Sequence, residues 1–161
     1  MPDGLPQKGP DYDDDFYAWT QHQAAVLREM PVTDNRFDRE HVAEEIEDLG
    51  KGERDAVRSQ VRRIIEHFLK LQHSPAQEPR CGWMGSIASA RVELDDKITR
   101  TLRREVEAEL ERLYQQAKRQ AELGFRQYGE DAVICELPAV CPYTFAQILE
   151  DDLYPEPVEK P

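Results

Sequence analysis

The sequence contains little cysteine and no long apolar run. Its three cysteines, Cys81, Cys135 and Cys141, form an odd set without a Cys-x-x-Cys pair. This argues against a disulfide framework or a paired zinc motif and indicates reduced thiols. No stretch of about 18 apolar residues occurs, so no transmembrane helix is expected. The opening residues are polar, acidic and rich in proline, unlike a signal peptide. Together these absences predict a soluble, cytoplasmic protein.

Basic residues are scarce relative to acidic ones. The 161 residues include 33 Asp and Glu against 21 Lys and Arg, which gives a net charge of −12. Residues 1–50 carry −9 and residues 131–161 carry −6, whereas residues 51–130 carry +3. Binding to nucleic acid or to an anionic membrane requires a surplus of Lys and Arg at the surface. The composition therefore disfavours both partners.

The middle of the chain is almost free of proline, and no strand pattern competes with its helical periodicity. These features predict an all-α protein: a helical bundle of four principal helices, one of them long and bent near Gly50 and Gly52, plus a short C-terminal helix. The expected organisation is a disordered tail over residues 1–10, a single helical domain over 11–155 and a second tail over 156–161.

The spacing of apolar residues predicts where the first two helices lie. Helix one is expected to follow the acidic run at Asp13–Asp15 and to end before Pro31. Its apolar residues at helical spacing are Phe16, Trp19, Val26 and Met30, with Ala24 and Leu27 beside them. The second helix is expected to start after Asp38, which is a good N-cap, and to reach about His73. Two stripes with alternating spacings of four and three residues mark its core side: Val42, Ile46 and Leu49, then Val57, Val61, Ile64, Phe68 and Leu71. A break into two helices at Gly50–Gly52 is the alternative.

Three further helices are predicted after the loop that contains Pro75 and Pro79. The third runs from about Trp83 to Ile98 and uses Ile87, Val92, Leu94 and Ile98, and a tight turn follows at residues 99–101. The fourth carries Leu102, Val106, Leu110, Leu113 and Ala117 and ends near Gly129, a typical residue beyond a helix C-terminus. A last short helix over Phe145, Ile148 and Leu149 is expected to be capped by Thr144.

Four segments carry a family resemblance: Asp15–Trp19, Glu44–Gly50, His67–Lys70 and Cys141–Thr144. In this order and spacing they resemble the bacterial domain-of-unknown-function family numbered twenty-nine, over roughly residues 11–155. The acidic Glu44–Gly50 stretch is the most specific of the four. The resemblance implies an all-helical bacterial protein, and it implies no activity, cofactor or site residues.

Histidine and carboxylate residues on the long helix are candidates for a metal site. His41, Glu44 and Glu45 have the spacing of one helical face, and His67 follows later on the same helix. Helical bundles can hold metals between Glu and His residues, but the usual signature has a Glu three residues before a His on two helices, and this chain lacks it. Divalent-metal binding through His41, Glu44, Glu45 and His67 is thus the alternative to a solvated acidic face without a cofactor.

The long helix is acidic in its first half and basic in its second. Glu47 and Asp48 precede an arginine series at four-residue spacing, Arg54, Arg58 and Arg62. Such segregation matches the helix dipole, and it could also form a surface that pairs with a partner protein or a second copy in a homodimer. The arginines could instead bind a polyanion, because guanidinium groups recognise phosphate well.

No catalytic signature is visible. Cys81 and Cys141 have no base at a readable spacing, and no glycine-rich phosphate loop occurs. Helix-spaced aromatic residues such as Trp19 and Trp83 are typical of a core. The sequence therefore favours a helical protein–protein interaction module without catalytic activity. A metal-binding protein or metal-dependent enzyme is the first alternative, and polyanion binding by the arginine series is the second.

Overall fold

The computed structural model of the protein describes residues 8–158. These residues form seven α-helices and no strand: α1 (Phe16–Glu29), α2 (Arg39–His73), α3 (Arg80–Lys97), α4 (Arg100–Ala108), α5 (Leu110–Gln127), α6 (Asp131–Ile134) and α7 (Phe145–Leu149). The predicted all-α class is confirmed. The tails predicted at both ends lie partly outside the described residues.

The chain forms two compact units. The first comprises the described residues up to Ala56 together with Thr99–Arg104. The second comprises Val57–Ile98 and the described residues from Glu105 onward. Because α2 and α4 each contribute residues to both units, neither unit is a contiguous stretch of the sequence.

In the first unit, the carboxylate of Asp15 serves two helices at once. One of its oxygens accepts a hydrogen bond from the Ala18 amide at 3.0 Å, and the other accepts one from the Thr101 amide at 3.0 Å. These amides lie in the first turns of α1 and α4, where helical partners are missing. Burial alone would raise the pKa of Asp15, but the hydrogen bonds outweigh it and hold that pKa below its ordinary value.

The buried face of α1 differs from the predicted one. Phe16 and Trp19 are only half-buried and Val26 and Met30 are exposed, so the expected apolar stripe is wrong. The residues that face inward are Tyr17, Thr20 and Ala24, of which only Ala24 belongs to the predicted apolar side. Two aromatic rings of the predicted stripe pack against a third, Tyr12, with centroids 5.3 and 4.9 Å away. Their apolar area is thus partly covered by one another.

The long helix α2 is continuous from Arg39 to His73, which excludes the alternative of two helices. Gly50 is buried, and a Cβ placed on it would lie 2.1 Å from the Thr20 hydroxyl oxygen. That hydroxyl is already engaged, because it donates a hydrogen bond to the Tyr17 carbonyl at 2.7 Å. Gly50 therefore permits the close approach of α1. Gly52 has no such role, since a Cβ there would meet nothing within 4 Å.

In the second unit, the later stripe of α2 forms the centre of the core. All five of its residues are fully buried, as predicted: Val57, Val61, Ile64, Phe68 and Leu71. The earlier stripe behaves differently, because Val42 and Leu49 are exposed in the first unit. The 4-3 spacing thus marks an apolar helix face correctly in both halves, but within residues 8–158 only the face of the second half is fully buried.

Helix α3 begins at Arg80, three residues before the predicted start. Ile87 and Leu94 are buried as expected, but Val92 is 65% exposed, so its assignment to the core is wrong. The neighbouring Arg91 is buried in its place. Its guanidinium donates hydrogen bonds to four backbone carbonyls near the C-terminus, those of Gln147, Ile148, Asp151 and Leu153. A charged side chain therefore holds the position that the pattern gave to an apolar one.

The predicted fourth helix is two helices. It is interrupted at Glu109, whose amide bonds to the Val106 carbonyl three residues earlier instead of four. The turn predicted over residues 99–101 is shorter than expected, because α4 already starts at Arg100. The predicted stop near Gly129 is correct, since this glycine adopts a positive φ of 73° two residues beyond α5.

The last two helices flank a loop that contains Pro138. The sequence pattern does not predict the one-turn helix α6, because residues 132–135 have a composition that suits a strand as well as a helix. Helix α7 follows Thr144, whose side chain accepts a hydrogen bond from the Gln147 amide in a capping box, as the sequence predicted. Seven helices therefore replace the predicted four principal helices and one short one among residues 8–158.

We expect Arg91→Leu to lower the free energy of unfolding by at least about 2 kcal/mol, because it removes the donor of four hydrogen bonds to carbonyls of the C-terminal segment. Arg126→Leu, which removes an exposed arginine of the same unit, should change it by no more than about 0.5 kcal/mol. Urea unfolding followed by circular dichroism measures both. Equal effects of the two substitutions would contradict the role assigned to Arg91.

Gly50→Ala should destabilise the protein by about 1–3 kcal/mol, because the new methyl group meets the Thr20 side chain. Gly52→Ala on the same helix should stabilise it by up to about 1 kcal/mol, because alanine favours a helix and nothing obstructs the Cβ. Thermal unfolding of the two variants compares them directly. The same sign for both would show that α1 does not approach Gly50 closely.

Candidate functional site

The metal candidates of the first unit lie in solvent. The His41 side chain is 76% exposed, and its Nδ1 lies 2.6 Å from an Asp38 carboxylate oxygen. That hydrogen bond raises the pKa of His41 above its ordinary value. Glu44 and Glu45 are also exposed. The histidine is thus paired with the residue that precedes the helix, which also accepts the His41 amide at 3.3 Å.

His67 lies in the second unit and is half-buried. Burial lowers its pKa to about 4. Its Nδ1 is buried and has no hydrogen-bond partner in the described part of the chain. The adjacent Glu66 is engaged by Lys70, whose ammonium lies 2.6 Å from the carboxylate. Across residues 8–158, no three His, Cys, Asp or Glu side chains are grouped so that they could hold a metal ion.

The predicted acidic partner residues form ion pairs within the first unit. Glu47 accepts a hydrogen bond from Arg28 at 2.8 Å, and this contact lowers the pKa of the Glu47 carboxyl. Asp48 lies 2.9 Å from the Lys51 ammonium, and its side chain is 59% exposed. Glu47 is therefore largely used by its own chain, whereas Asp48 still faces solvent.

The arginine series is also engaged within the chain. In the second unit Arg58 lies 2.5 Å from Glu109, and Arg62 donates to the Gln116 side-chain oxygen at 3.1 Å. In the first unit Arg54 lies 3.8 Å from Asp55. Only 26% and 18% of the Arg54 and Arg58 side chains are exposed. The series does not form the open basic strip that its spacing suggests.

A different surface of the first unit stands out, which we call the α2 face: Val42, Ile46 and Leu49. Val42 is 37% exposed, Leu49 is 60% exposed and Ile46 is partly exposed. With Asp38, His41 and Glu45, these residues line a shallow, mostly apolar depression of about 320 Å³. The sequence contains this signal, because the three residues follow 4-3 spacing, but spacing alone does not tell a covered helix face from an open one.

The cysteines and the C-terminal family motif have structural surroundings. Cys81 is exposed near the start of α3, while burial raises the pKa of the Cys141 thiol. Tyr143 donates a hydrogen bond to the Gln72 side chain at 2.5 Å and packs edge-on against Phe68. The motif around Tyr143 thus anchors the segment before α7 to α2.

The surroundings of His67 predict an acid-sensitive stability. In the folded state His67 stays neutral until the pH falls to its lowered pKa of about 4. In the unfolded chain the same side chain takes up a proton once the pH falls below the ordinary histidine pKa of 6.5. Stability should therefore fall as the pH drops through this window, by about 1–3 kcal/mol because His67 is only partly buried. Urea midpoints of wild type and His67→Gln, measured between about pH 7 and pH 4.5, test this.

The His67→Gln variant should show a shallower fall than wild type. His41→Gln is the matched control on the same helix, because it removes an exposed histidine whose pKa is raised instead. It should not flatten the fall. Identical profiles for wild type and His67→Gln would contradict the neutral, buried state of His67.

Comparison with known proteins agrees with the helical fold. An alpha-helical protein of unknown function from Rhodospirillum rubrum, known from a crystal structure, superimposes with a TM-score of 0.78 at 26% sequence identity. The similarity covers 90% of this chain and 92% of that one. No match was found among curated proteins. Within the described residues, no helix is both long and apolar enough to cross a membrane.

The family resemblance noted in the sequence is confirmed by the family match. It extends over residues 12–154, which is nearly the whole chain, and it includes all four of the segments that carried the resemblance. The family's description names no activity, ligand or partner. The chain belongs to the family described as domain of unknown function DUF29.

Proposed function

We propose that this chain is a non-enzymatic interaction module of the bacterial cytoplasm whose α2 face binds a basic, amphipathic helix of a partner protein. The observation that carries the proposal is the exposure of Val42 and Leu49 on a helix whose next stripe is fully buried. The finer architectural predictions belong to this proposal: one domain over residues 11–155, built as a helical bundle with α2 bent near Gly50 and Gly52.

The geometry of the α2 face suits a helical ligand. Val42, Ile46 and Leu49 are four and three residues apart, which is the repeat that allows one helix to pack along another. Helices that bind in grooves present their anchors at the same spacing. Burying the exposed apolar area of such a face stabilises a complex by about 25 cal/mol per Å² before the costs of association are subtracted.

Charge favours a basic partner over a second copy. Residues 31–56 contain nine acidic and four basic residues. The carboxylates of Asp38 and Glu45 line the same depression as the α2 face, and both residues are exposed. A second copy that used the same face would bring these carboxylates together, which is unfavourable, whereas a helix flanked by Lys or Arg would complement them. A homodimer through this face is therefore the less favoured arrangement.

The arginine series has another role in this proposal. Arg58 and Arg62 contact Glu109 and Gln116 of their own unit, so they hold the second half of α2 in place. Partner recognition is assigned to the acidic first half of α2, which contains Asp48. Glu47 contributes indirectly, because its ion pair with Arg28 fastens α2 to α1 within the first unit.

The metal-binding alternative has its own test. Elemental analysis of protein purified without a histidine tag should find no stoichiometric divalent metal. A metal present in wild type and lost from Glu44→Ala would favour that alternative over the proposed module. The exposure of His41 and its pairing with Asp38 support the first outcome.

A designed peptide tests the proposed docking. The probe is a synthetic helix of about 20 residues with leucines at 4-3 spacing and lysines on both flanks, and a glutamate-flanked version serves as the charge control. We expect the basic peptide to bind and the glutamate-flanked peptide not to bind, and we expect high salt to weaken the binding. The double substitution Val42→Glu/Leu49→Glu should weaken binding of the basic peptide at least about tenfold. Fluorescence anisotropy measures these affinities.

The control variant is Leu123→Glu, which alters a leucine of α5 that is 56% exposed in the second unit. It should bind the basic peptide like wild type. Equal binding by Val42→Glu/Leu49→Glu and wild type would overturn the proposal. A stable dimer seen by sedimentation and lost in Leu49→Glu would overturn it too, in favour of a second copy as the occupant.

A further inference from the structure

We infer that a groove in the second unit binds a small phosphorylated molecule. The groove encloses about 590 Å³ and is lined by α2 residues, including Gln60, Arg62 and Arg63, and by α5 residues, including Gln116 and Arg119. Its volume lies in the range of about 300–1,000 Å³ that is common for small-molecule sites. The inference is independent of the α2 face, because no residue of that face lines the groove.

The groove carries positive charge that its own chain does not balance. Arg63 and Arg119 make no hydrogen bond or ion pair with any residue between 8 and 158. Among the same described residues, the partner of Arg62 is the neutral Gln116 side chain, to which it donates a hydrogen bond at 3.1 Å. The groove thus brings together three guanidinium groups that form no ion pair among the described residues, within the basic middle part of the chain. This arrangement indicates a ligand with more than one negative charge.

The single carboxylate of the groove does not cancel this charge. Glu66 lines the groove, but it is bound to Lys70 on the next turn of α2, with the ammonium nitrogen 2.6 Å from its oxygen. The pair contributes no net charge. Three guanidinium groups thus remain, and each can hold two oxygens of a phosphate group with a pair of parallel hydrogen bonds.

Polar groups beside the arginines indicate what else the ligand carries. The side-chain oxygen of Gln60 is buried and accepts no hydrogen bond from the described residues, while its amide nitrogen donates to Glu93. A hydroxyl or amino group on the ligand would supply the missing donor. The chemistry therefore fits a phosphate ester or diphosphate with a polar organic part, such as a nucleotide.

An extended nucleic acid suits the groove less well. Polyanion binding needs positive charge spread over many phosphates, and its affinity grows with the number of phosphates neutralised. Here the arginine series does not continue as an open strip, because Arg58 is paired with Glu109. Arg62, Arg63 and Arg119 lie together along one groove, which favours a compact ligand with one or two phosphate groups.

Calorimetric titration of the full chain tests the inference with three probes: inorganic pyrophosphate, a nucleoside diphosphate and a single-stranded RNA oligonucleotide. We expect both small phosphates to bind, with the nucleoside diphosphate tighter because it can also contact Gln60. Arg63→Gln/Arg119→Gln should weaken binding of both at least about tenfold. Arg126→Gln, an exposed arginine of α5 outside the groove, should change it less than about twofold.

Amide chemical shifts of wild type with pyrophosphate locate the site without a variant. Changes confined to residues 59–66 and 116–120 would support the groove even if the double variant fails to fold. The inference is overturned if neither small phosphate binds up to about 5 mM, if the double variant binds like wild type, or if only RNA binds.

Discussion

The C-terminal segment of the second unit depends on one buried positive charge. A guanidinium removed from water is costly unless its donors are satisfied, and the end of a short helix has carbonyls that lack helical partners. Arg91 donates four hydrogen bonds to carbonyls of residues 147–153. These bonds satisfy the guanidinium donors and also the carbonyls at and beyond the end of α7. The same guanidinium lies 5.6 Å from the Phe68 ring centre, and Phe68 contacts Tyr143. A five-residue helix such as α7 would not be stable alone, so its order depends on these hydrogen bonds together with the burial of Phe145 and Ile148.

Much of the fold could be predicted because helix cores repeat in sequence. The buried stripe of α2, the residues of α4 and α5 that face inward, and the Thr144 cap all follow from spacing and local chemistry. Two features of the fold could not be predicted from residue spacing. Arg91 is buried through partners almost 60 residues away, which no local pattern reveals. The inward face of α1 is set by the close approach of Gly50 to Thr20, where small size matters more than hydrophobicity.

The candidate site is less predictable than the fold, because its residues differ from core residues only in being exposed. Val42 and Leu49 have the same spacing as the buried stripe, and only the structure shows that they are exposed. The roles of the charged residues likewise depend on partners that are distant in the sequence. Arg58 reads as surface in the sequence, yet Glu109, 51 residues later, accepts its hydrogen bond. Conversely, no sequence pattern singles out Arg119, and only the structure shows that it lines the same groove as Arg63.

The double use of Asp15 has a consequence for how the first unit assembles. The carboxylate completes the first turn of α1 from within its own neighbourhood, but the Thr101 amide that it also binds is 86 residues away. Closing so long a loop costs chain entropy, and contacts of this separation form late in folding. Helix α1 can therefore be capped early, whereas the start of α4 must wait until the intervening chain has folded back. In an elongating chain the first helix already holds the acceptor that the fourth will need.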